Sequence, residues 1–413
     1  MRPEAKGEAD IERGGEPDQR QAFDTFCNEQ QTWLDDFSLY NALARKYKSL
    51  DWTNWPAELA QREPAALESA RLKMANEVVF ASYLQFLFFT QWTGLKTYAN
   101  AKNIRLFGDM PIFVAHGSAD VWANQDLFLL DDDGHTRVVA GVPPDYFSET
   151  GQRWGNPLYD WDAIAETGFA WWTERFRSAF ATFDLIRIDH FRGFESYWEI
   201  PTASPTAVDG RWVNGPGAAV FHAAQSALGD AFPDGLPIVA EDLGLITDEV
   251  HRLRDALELP GMRVLQFGYD DIEDNYHRPE AYPEHSVAYT GTHDNDTVLS
   301  WYGGRGKNGS AVDESNGQEA STASAPLPDS DNPDGMHWVL IGMVLDSASD
   351  TSIIPLQDIL GLGTEARMNT PGEADGNWDW RCQLTAFSAE NARRLRKLTE
   401  SSGRIVAEPV PSS

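Results

Sequence analysis

The sequence predicts an α/β fold on a parallel sheet, of the (β/α)8 TIM-barrel type with helical insertions. From Ile104 onward, short apolar runs alternate with helical segments, which is the repeat typical of parallel sheets. Four of these runs end on an acid or lead closely to one, at Asp109, Asp189, Glu241 and Asp294. Barrel enzymes carry their catalytic groups at the carboxyl ends of the strands, so this placement favours a barrel. The alternative is that each acid caps the helix that follows it.

The N-terminal quarter of the chain favours helices. Between Phe23 and Lys102 apolar side chains recur at spacings of three and four residues, and Pro56 and Pro64 interrupt the pattern. The run Val78–Phe89 is too short to span a bilayer, so we interpret it as a buried helix. We therefore expect a helical insertion subdomain at residues 23–102, after a polar, disordered tail at residues 1–22.

The predicted strands are short apolar runs bounded by polar or turn-forming residues. They are residues 104–107, 183–188, 237–240, 263–267, 287–290 and, as a last strand, 351–356. These runs define a catalytic barrel core and a C-terminal part of the barrel, with an acidic, low-complexity insertion between them. The expected bounds are 103–302 for the core, 303–335 for the insertion, 336–400 for the C-terminal strand and helices, and 401–413 for a flexible tail.

The overall composition excludes several classes of protein. The chain has 413 residues, 42% of them hydrophobic, which is enough for a sizeable core. Its formal net charge of −31 argues against binding to nucleic acid, which requires a basic surface. Cys27 and Cys382 lie far apart and match no metal-ligand spacing, which excludes a disulfide scaffold and favours a reducing compartment. The residues after Met1 are charged rather than apolar, so we expect a soluble, cytoplasmic protein that binds no membrane.

Asp189 is the candidate nucleophile of a retaining enzyme that acts on glycosidic bonds. Such an enzyme needs a carboxylate nucleophile and a second carboxyl group as acid/base, roughly 5–5.5 Å apart. Arg187 lies two residues earlier, on the same face of a strand, and would favour the ionised form of Asp189. His190 and Arg192 supply further donors. The alternative is a buried ion pair that braces the barrel.

Glu241 and Asp294 are the other two candidate catalytic acids. Glu241 directly follows an apolar run, where burial would raise its pKa as a general acid requires. The alternative for Glu241 is a helix cap. Asp294 lies in the segment Thr292–Asp296 and could bind sugar hydroxyls together with His293, although this segment could also bind a metal.

Longer motifs carry a resemblance to a known family. The most specific is Gly141–Tyr159, and four others support it: 108–112, 118–123, 353–358 and 366–372. Together they are similar to the 4-α-glucanotransferases called amylomaltases or disproportionating enzymes, within the α-amylase clan. The resemblance covers roughly Phe23 to Trp380, apart from the acidic insertion.

The resemblance implies that the protein transfers α-1,4-glucan segments between maltodextrins, starch or glycogen fragments, with glucose as an acceptor. It implies Asp189 as nucleophile, Glu241 as acid/base and Asp294 as transition-state stabiliser, and a loop within 141–159 that covers the glucan. No cofactor or metal is implied. The expected substrate-binding residues, from the resemblance and from the polar and aromatic character of the loop, are Asp109, Tyr146, Phe147, Gln152, Trp154, Asn156, Arg187, His190 and His293.

The family normally carries a further segment before the point that corresponds to Phe23. We therefore expect an incomplete barrel that lacks its first strands, with open sheet edges. Two other functions stay open: an α-glucan hydrolase of the same clan, and an inactive remnant that binds glucans without turnover.

The strongly acidic composition, with arginine predominating over lysine, suggests a halophilic source. In molar salt the Debye length falls to about 3 Å, so repulsion between surface carboxylates is screened. We expect the melting temperature, followed by far-UV circular dichroism, to rise with the salt concentration. Full stability of the fold without salt would contradict this hypothesis. That outcome is the one expected of a protein with a neutral surface.

Overall fold

The computed structural model describes residues 17–144, 148–269, 275–304, 335–373 and 375–405. The chain divides into two compact units, Met1–Leu253 and Arg254–Ser413. The predicted acidic insertion lies almost wholly outside the described residues, as do Tyr146 and Phe147. Among the described residues, no helix is long and apolar enough to cross a membrane.

Helices form the N-terminal part of the first unit. They are α1 (Pro17–Glu29), α2 (Gln31–Tyr47), α3 (Ala57–Ala60), α4 (Pro64–Lys73) and α5 (Ala75–Asn100). Helix α1 begins at Pro17, within the predicted tail, because its aromatic residues pack against α5. Phe23 contacts Tyr83 and Phe86, with ring centroids 5.7 Å apart in each pair.

The prediction of a buried helix at Val78–Phe89 is wrong. This run lies within α5, in which just Ser82 and Ala99 are buried. Apolar residues are distributed all round α5, and one side packs against α2 through the buried contact between the Ser38 and Ser82 hydroxyls at 2.8 Å. The other side leaves Phe88 47% exposed.

Three parallel strands of the first unit position the candidate site. They are β1 (Phe107–Pro111), β4 (Leu185–Asp189) and β7 (Ile238–Ala240), with β4 paired to both neighbours. In β4 the residues alternate between faces, so Ile186 and Ile188 are fully buried, whereas Arg187 and Asp189 lie on the opposite face. The predicted strands are therefore present, shifted by up to four residues at their ends.

A second, antiparallel sheet accompanies these strands. Its strands are β2 (Val138–Val142), β3 (Gln152–Pro157), β5 (Ser196–Pro201) and β6 (Arg211–Asn214), in the order β3-β2-β5-β6. Glycine is required at position 141, where β2 pairs with β3, since a Cβ atom there would lie 2.1 Å from the Gln152 carbonyl oxygen. This close approach holds the start of β3, the strand that carries Trp154, against β2.

The remaining helices of the first unit pack around an aromatic core. They are α6 (Ala119–Ala123), α7 (Trp161–Glu166), α8 (Ala170–Thr182) and α9 (Ala219–Leu228). Helix α8 precedes β4, which is the crossover expected between the parallel strands β1 and β4. Trp172 of α8 is fully buried against Phe176 and Phe194.

The second unit has its own parallel strands, β8 (Gly261–Val264), β9 (Ser286–Tyr289) and β10 (Thr351–Ile353), with β9 paired to both neighbours. Its helices are α11 (Val298–Gly304), α12 (Met336–Leu345), α13 (Leu356–Leu360) and α14 (Ala389–Ser401). Helix α10 (Asp248–Ala256) begins in the first unit and ends in the second. Leu265, Val298 and Leu340 are among the buried residues of its main core cluster. Both units thus confirm the predicted parallel α/β class. The predicted absence of the first strands stays a prediction.

Trp122 is expected to be a determinant of stability in the first unit. It is fully buried, its indole Nε1 donates to the Leu59 carbonyl at 3.0 Å, and the Arg62 guanidinium lies 4.3 Å from its ring centroid. We expect Trp122→Ala to lower the free energy of unfolding by about 3–5 kcal/mol. Urea titration measures this loss. The exposed Leu72→Ala is the control, with an expected change within about 0.5 kcal/mol, and an equal effect of the two variants would contradict the assignment.

Candidate active site

The candidate site of the first unit is built at the ends of β1, β4 and β7. The register pairs Asp109 with Arg187, and Ile188 with Ala240, the residue before Glu241. The Glu241 amide also donates to the Ile188 carbonyl at 3.1 Å, which extends the sheet pairing by one residue. Acidic residues of three neighbouring strands therefore meet at one edge, as the sequence predicts.

Arg187 connects two of these acids. Its Nη1 donates to both carboxylate oxygens of Asp109 at 2.8 Å, and its Nη2 lies 2.8 Å from Oδ1 of Asp189. The side chain is 10% exposed, whereas the two carboxylates are 45% and 41% exposed. Burial opposes the charge of Arg187, but Glu241, Asp189 and Asp109 outweigh it and raise its pKa. The guanidinium is therefore a permanent cation beside the proposed nucleophile.

Glu241 is the buried acid of the site. Its Oε2 accepts from the His190 backbone N–H at 2.7 Å, and its Oε1 accepts from the Leu243 N–H at 2.8 Å. Burial raises the pKa of Glu241 to about 7, and the charge of Asp189 contributes to the rise, while Arg187 and the two N–H donors oppose it. Near neutral pH the carboxyl can therefore both hold and release a proton, which general acid/base catalysis requires.

His190 has a backbone conformation that its position requires. Its φ of 53° lies in the left-handed region, which turns the chain directly after Asp189 and aims the His190 N–H at Glu241. Burial, together with the charge of Arg192, lowers the pKa of the imidazole to about 3, so the ring is neutral. Within the described residues its Nε2 has no hydrogen-bond partner.

The predicted covering loop is described in part. Trp154 is 39% exposed, and its ring meets that of His190 edge to face, with centroids 4.8 Å apart. The indole Nε1 donates to Oε1 of Gln152 at 3.1 Å. The Asn156 amide donates to the Val114 carbonyl at 3.1 Å, so its nitrogen holds the loop to the chain after β1. The loop thus places an accessible aromatic face next to His190.

Arg192 contacts the chain that follows Glu241. Its guanidinium donates to the Leu245 carbonyl and to the Ser196 hydroxyl, and it stacks on Trp212 at 3.9 Å from the ring centroid. Arg192 therefore supports this part of the chain, and its predicted role as a further donor beside Asp189 stays a prediction.

In the second unit, His293 and Asp294 lie in a loop after β9. Asp294 accepts at Oδ1 from the Asn369 amide at 2.6 Å, and its backbone carbonyl accepts from Arg367 at 2.7 Å. His293 Nε2 lies 3.4 Å from Asp294 Oδ2, and the imidazole lies beside Trp378, with ring centroids 5.3 Å apart. Asp294, His293 and these partners form a second group of polar residues with an exposed aromatic neighbour.

Three of these partners were not predicted: Arg367, Asn369 and Trp378. The first two lie in the motif 366–372, so the motif was the available signal, but its contact with Asp294 spans more than 70 residues of chain. Trp378 follows the motif, and no sequence pattern of its own indicates a contact with His293. Among the described residues, no group of three or more His, Cys, Asp or Glu side chains is arranged to hold a metal ion.

Known proteins match this chain over most of its length. A family model for 4-alpha-glucanotransferase matches residues 6–385. The 4-alpha-glucanotransferase of Thermus thermophilus is 47% identical over 395 residues, which are 94% of this chain and 76% of the relative. The corresponding protein of Synechocystis sp. is 46% identical and covers 94% of this chain, with 74% of its own length matched.

Solved structures give the same result. The amylomaltase from Streptococcus agalactiae, in complex with acarbose, has a TM-score of 0.83 and 32% sequence identity, and the match covers 94% of this chain and 76% of that one. The amylomaltase from Corynebacterium glutamicum, with a TM-score of 0.68 and 18% identity over 94% of this chain and 57% of its own, adds a likeness of fold.

The raised pKa of Glu241 predicts a dependence of stability on pH. The folded state keeps the proton up to about pH 7, whereas the unfolded chain loses it near the ordinary value of 4.5. Since the folded state then binds more protons, the contribution of Glu241 to stability falls as the pH rises through this window. The free energy of unfolding of Glu241→Gln, relative to that of wild type, is therefore expected to rise by on the order of 3 kcal/mol between about pH 4.5 and 7. Urea titrations at several pH values measure the difference, and a constant difference would contradict the prediction.

Proposed function

Because the chain belongs to the 4-alpha-glucanotransferase family, we propose that it transfers segments of α-1,4-glucans between maltodextrin chains by a retaining double displacement. One observation carries this proposal: Arg187 bridges Asp109 and Asp189 at the strand ends where the buried Glu241 also lies. An ionised carboxylate beside a fixed cation and a second carboxyl that can hold a proton are the two groups that the reaction needs.

In the first half-reaction, Asp189 is the nucleophile. Its carboxylate attacks the anomeric carbon of the donor glucan, while Glu241 gives its proton to the glycosidic oxygen. The bond between that carbon and the oxygen breaks, the reducing-end fragment leaves with the proton, and the rest of the glucan stays on Asp189 as an ester. Arg187 favours the ionised form of Asp189 before the attack.

In the second half-reaction, Glu241 acts as the base. It takes the proton from the 4-hydroxyl of an acceptor glucan, or of glucose, as that oxygen attacks the anomeric carbon and displaces Asp189. The proton returns to Glu241 and the carboxylate to Asp189, so no cofactor or metal is needed. Transfer exceeds hydrolysis if water is kept from the ester, and we assign that task to the loop that carries Trp154.

The binding roles follow from the same contacts. Asp109 is half exposed beside Arg187, so its carboxylate oxygens can also accept a hydrogen bond from a sugar hydroxyl. We propose that Gln152, Trp154, Asn156 and His190 also bind the glucan, supported by the partly exposed Trp154 ring and the Gln152 side chain beside it. We propose the same role for Tyr146 and Phe147, which lie outside the described residues.

For the second unit, we propose that Asp294 stabilises the transition state and that His293 binds the donor sugar. This assignment is supported by the sequence motif and by the donors that fix Asp294.

We also propose a cytoplasmic location, supported by the two free thiols of Cys27 and Cys382.

Incubation with maltotriose tests the function. Glucose together with longer oligosaccharides indicates transfer, shorter sugars alone indicate hydrolysis, and binding without products indicates an inactive remnant. Asp189→Asn is expected to lower kcat by at least about 1,000-fold, because the nucleophile is lost.

Asp109→Asn is the matched control, since it removes the other carboxylate that Arg187 contacts. We expect it to raise KM and to leave far more of kcat than Asp189→Asn does. Equal losses of kcat in the two variants would contradict the assignment of Asp189 as nucleophile.

A further inference from the structure

Asp358 is a buried carboxylate that the mechanism does not use. It lies in α13, is 1% exposed, and accepts two hydrogen bonds. Its Oδ2 accepts from the Thr290 hydroxyl at 2.5 Å, and its Oδ1 accepts from the Val298 backbone N–H at 2.8 Å. Both donors are themselves buried. A carboxylate in such a place is costly unless both oxygens are satisfied, and here each oxygen has a donor.

The two donors stand at the two ends of one segment. Thr290 follows β9 directly, and Val298 is the first residue of α11. Between them lie His293 and Asp294, so the single carboxylate of Asp358 closes this segment, hereafter the Asp294 loop (residues 290–298), at its base.

The same part of the chain also holds the middle of the Asp294 loop. The Thr364 hydroxyl donates to Oδ2 of Asp296 at 2.7 Å, and Arg367 and Asn369 donate to Asp294. Residues 358–369 thus contact the Asp294 loop at both ends and at its centre. Asp358 differs from the other contacts because it alone in this set is fully buried and bonds to both ends.

We propose that Asp358 is a positioning residue, which closes the Asp294 loop by binding Thr290 and Val298 and thereby sets the position of the Asp294 carboxylate. This inference rests on the proposed role of Asp294 in glucan transfer. Asp358 touches no reacting atom, so it acts through the loop. Since the loop has to place a carboxylate accurately for the transition state, loosening it is expected to lower kcat more than it raises KM.

The pKa of Asp358 reflects its burial. Burial raises this pKa to about 6, while the hydrogen bonds from Thr290 and Val298 oppose the rise and the charge of Asp296 adds to it. Replacement by alanine removes both acceptors, so neither the Thr290 hydroxyl nor the Val298 N–H keeps its partner and both ends of the loop are released. Asparagine would not test the closure, because its oxygen can accept from Val298 while its NH2 group donates to the Thr290 hydroxyl.

The test uses Asp358→Ala and Thr290→Val in the full chain. Thr290→Val removes one donor and leaves the Val298 contact, so it tests the same closure if Asp358→Ala does not fold. The control is Ser349→Ala, which removes the buried hydrogen bond to Ser286 at the opposite end of β9. Maltotriose disproportionation gives kcat and KM, and hydrogen exchange followed by mass spectrometry gives the protection of the amides in residues 290–298.

We expect Asp358→Ala to lower kcat on the order of 10- to 100-fold with KM within about twofold of wild type, and to speed exchange in the Asp294 loop alone. Thr290→Val should give a smaller change of the same kind, and Ser349→Ala should leave kcat and the loop unchanged. Unchanged exchange in the loop, or equal effects of Thr290→Val and Ser349→Ala, would overturn the proposal. If wild type shows no transfer, the proposed function fails, and exchange in the loop still decides whether Asp358 closes it.

Discussion

The first unit depends on a guanidinium held between two carboxylates. Removing Arg187 from water costs several kcal/mol, and the cost is recovered only if its partners are placed accurately. Asp109 and Asp189 meet that condition because β1 and β4 pair in a register that sets Asp109 beside Arg187. The register in turn depends on the buried Ile186 and Ile188, which fix the face that Arg187 occupies. The packing of the sheet therefore determines where the charges of the site lie.

Arg187 also allows two acids of the same kind to have different environments. Asp189 is 41% exposed and lies against the cation, whereas Glu241 is buried and receives two backbone N–H groups. Environments that separate paired carboxyl groups in this way divide the roles of nucleophile and proton donor. Burial raises the pKa of Glu241, while the two backbone N–H groups fix its position and the Arg187 side chain favours the ionised form of Asp189.

The strands and the acids were predictable because both depend on local order along the chain. An apolar run followed by an acid identifies the carboxyl end of a strand, and parallel pairing brings such ends together without further information. Strand limits were less accurate. The first strand was expected at 104–107 and lies at Phe107–Pro111, since Gly108, Asp109 and Pro111 carry little strand character.

What the sequence did not reveal is set by contacts between distant residues. The bond from Asn369 to Asp294 and the closure by Asp358 bring together segments some 60 to 75 residues apart, and no local pattern encodes them. The left-handed backbone of His190 is a further case, because histidine carries no sign of it. The exposure of α5 was missed because apolar content predicts burial only where a partner surface is present.

The peptide unit between Asp189 and His190 joins the two proposed catalytic acids. Its nitrogen donates to Glu241, the proposed acid/base, and the residue on its other side is Asp189, the proposed nucleophile. Because one peptide unit carries both the contact to Glu241 and the backbone of Asp189, a rotation of this unit would displace the two acids together.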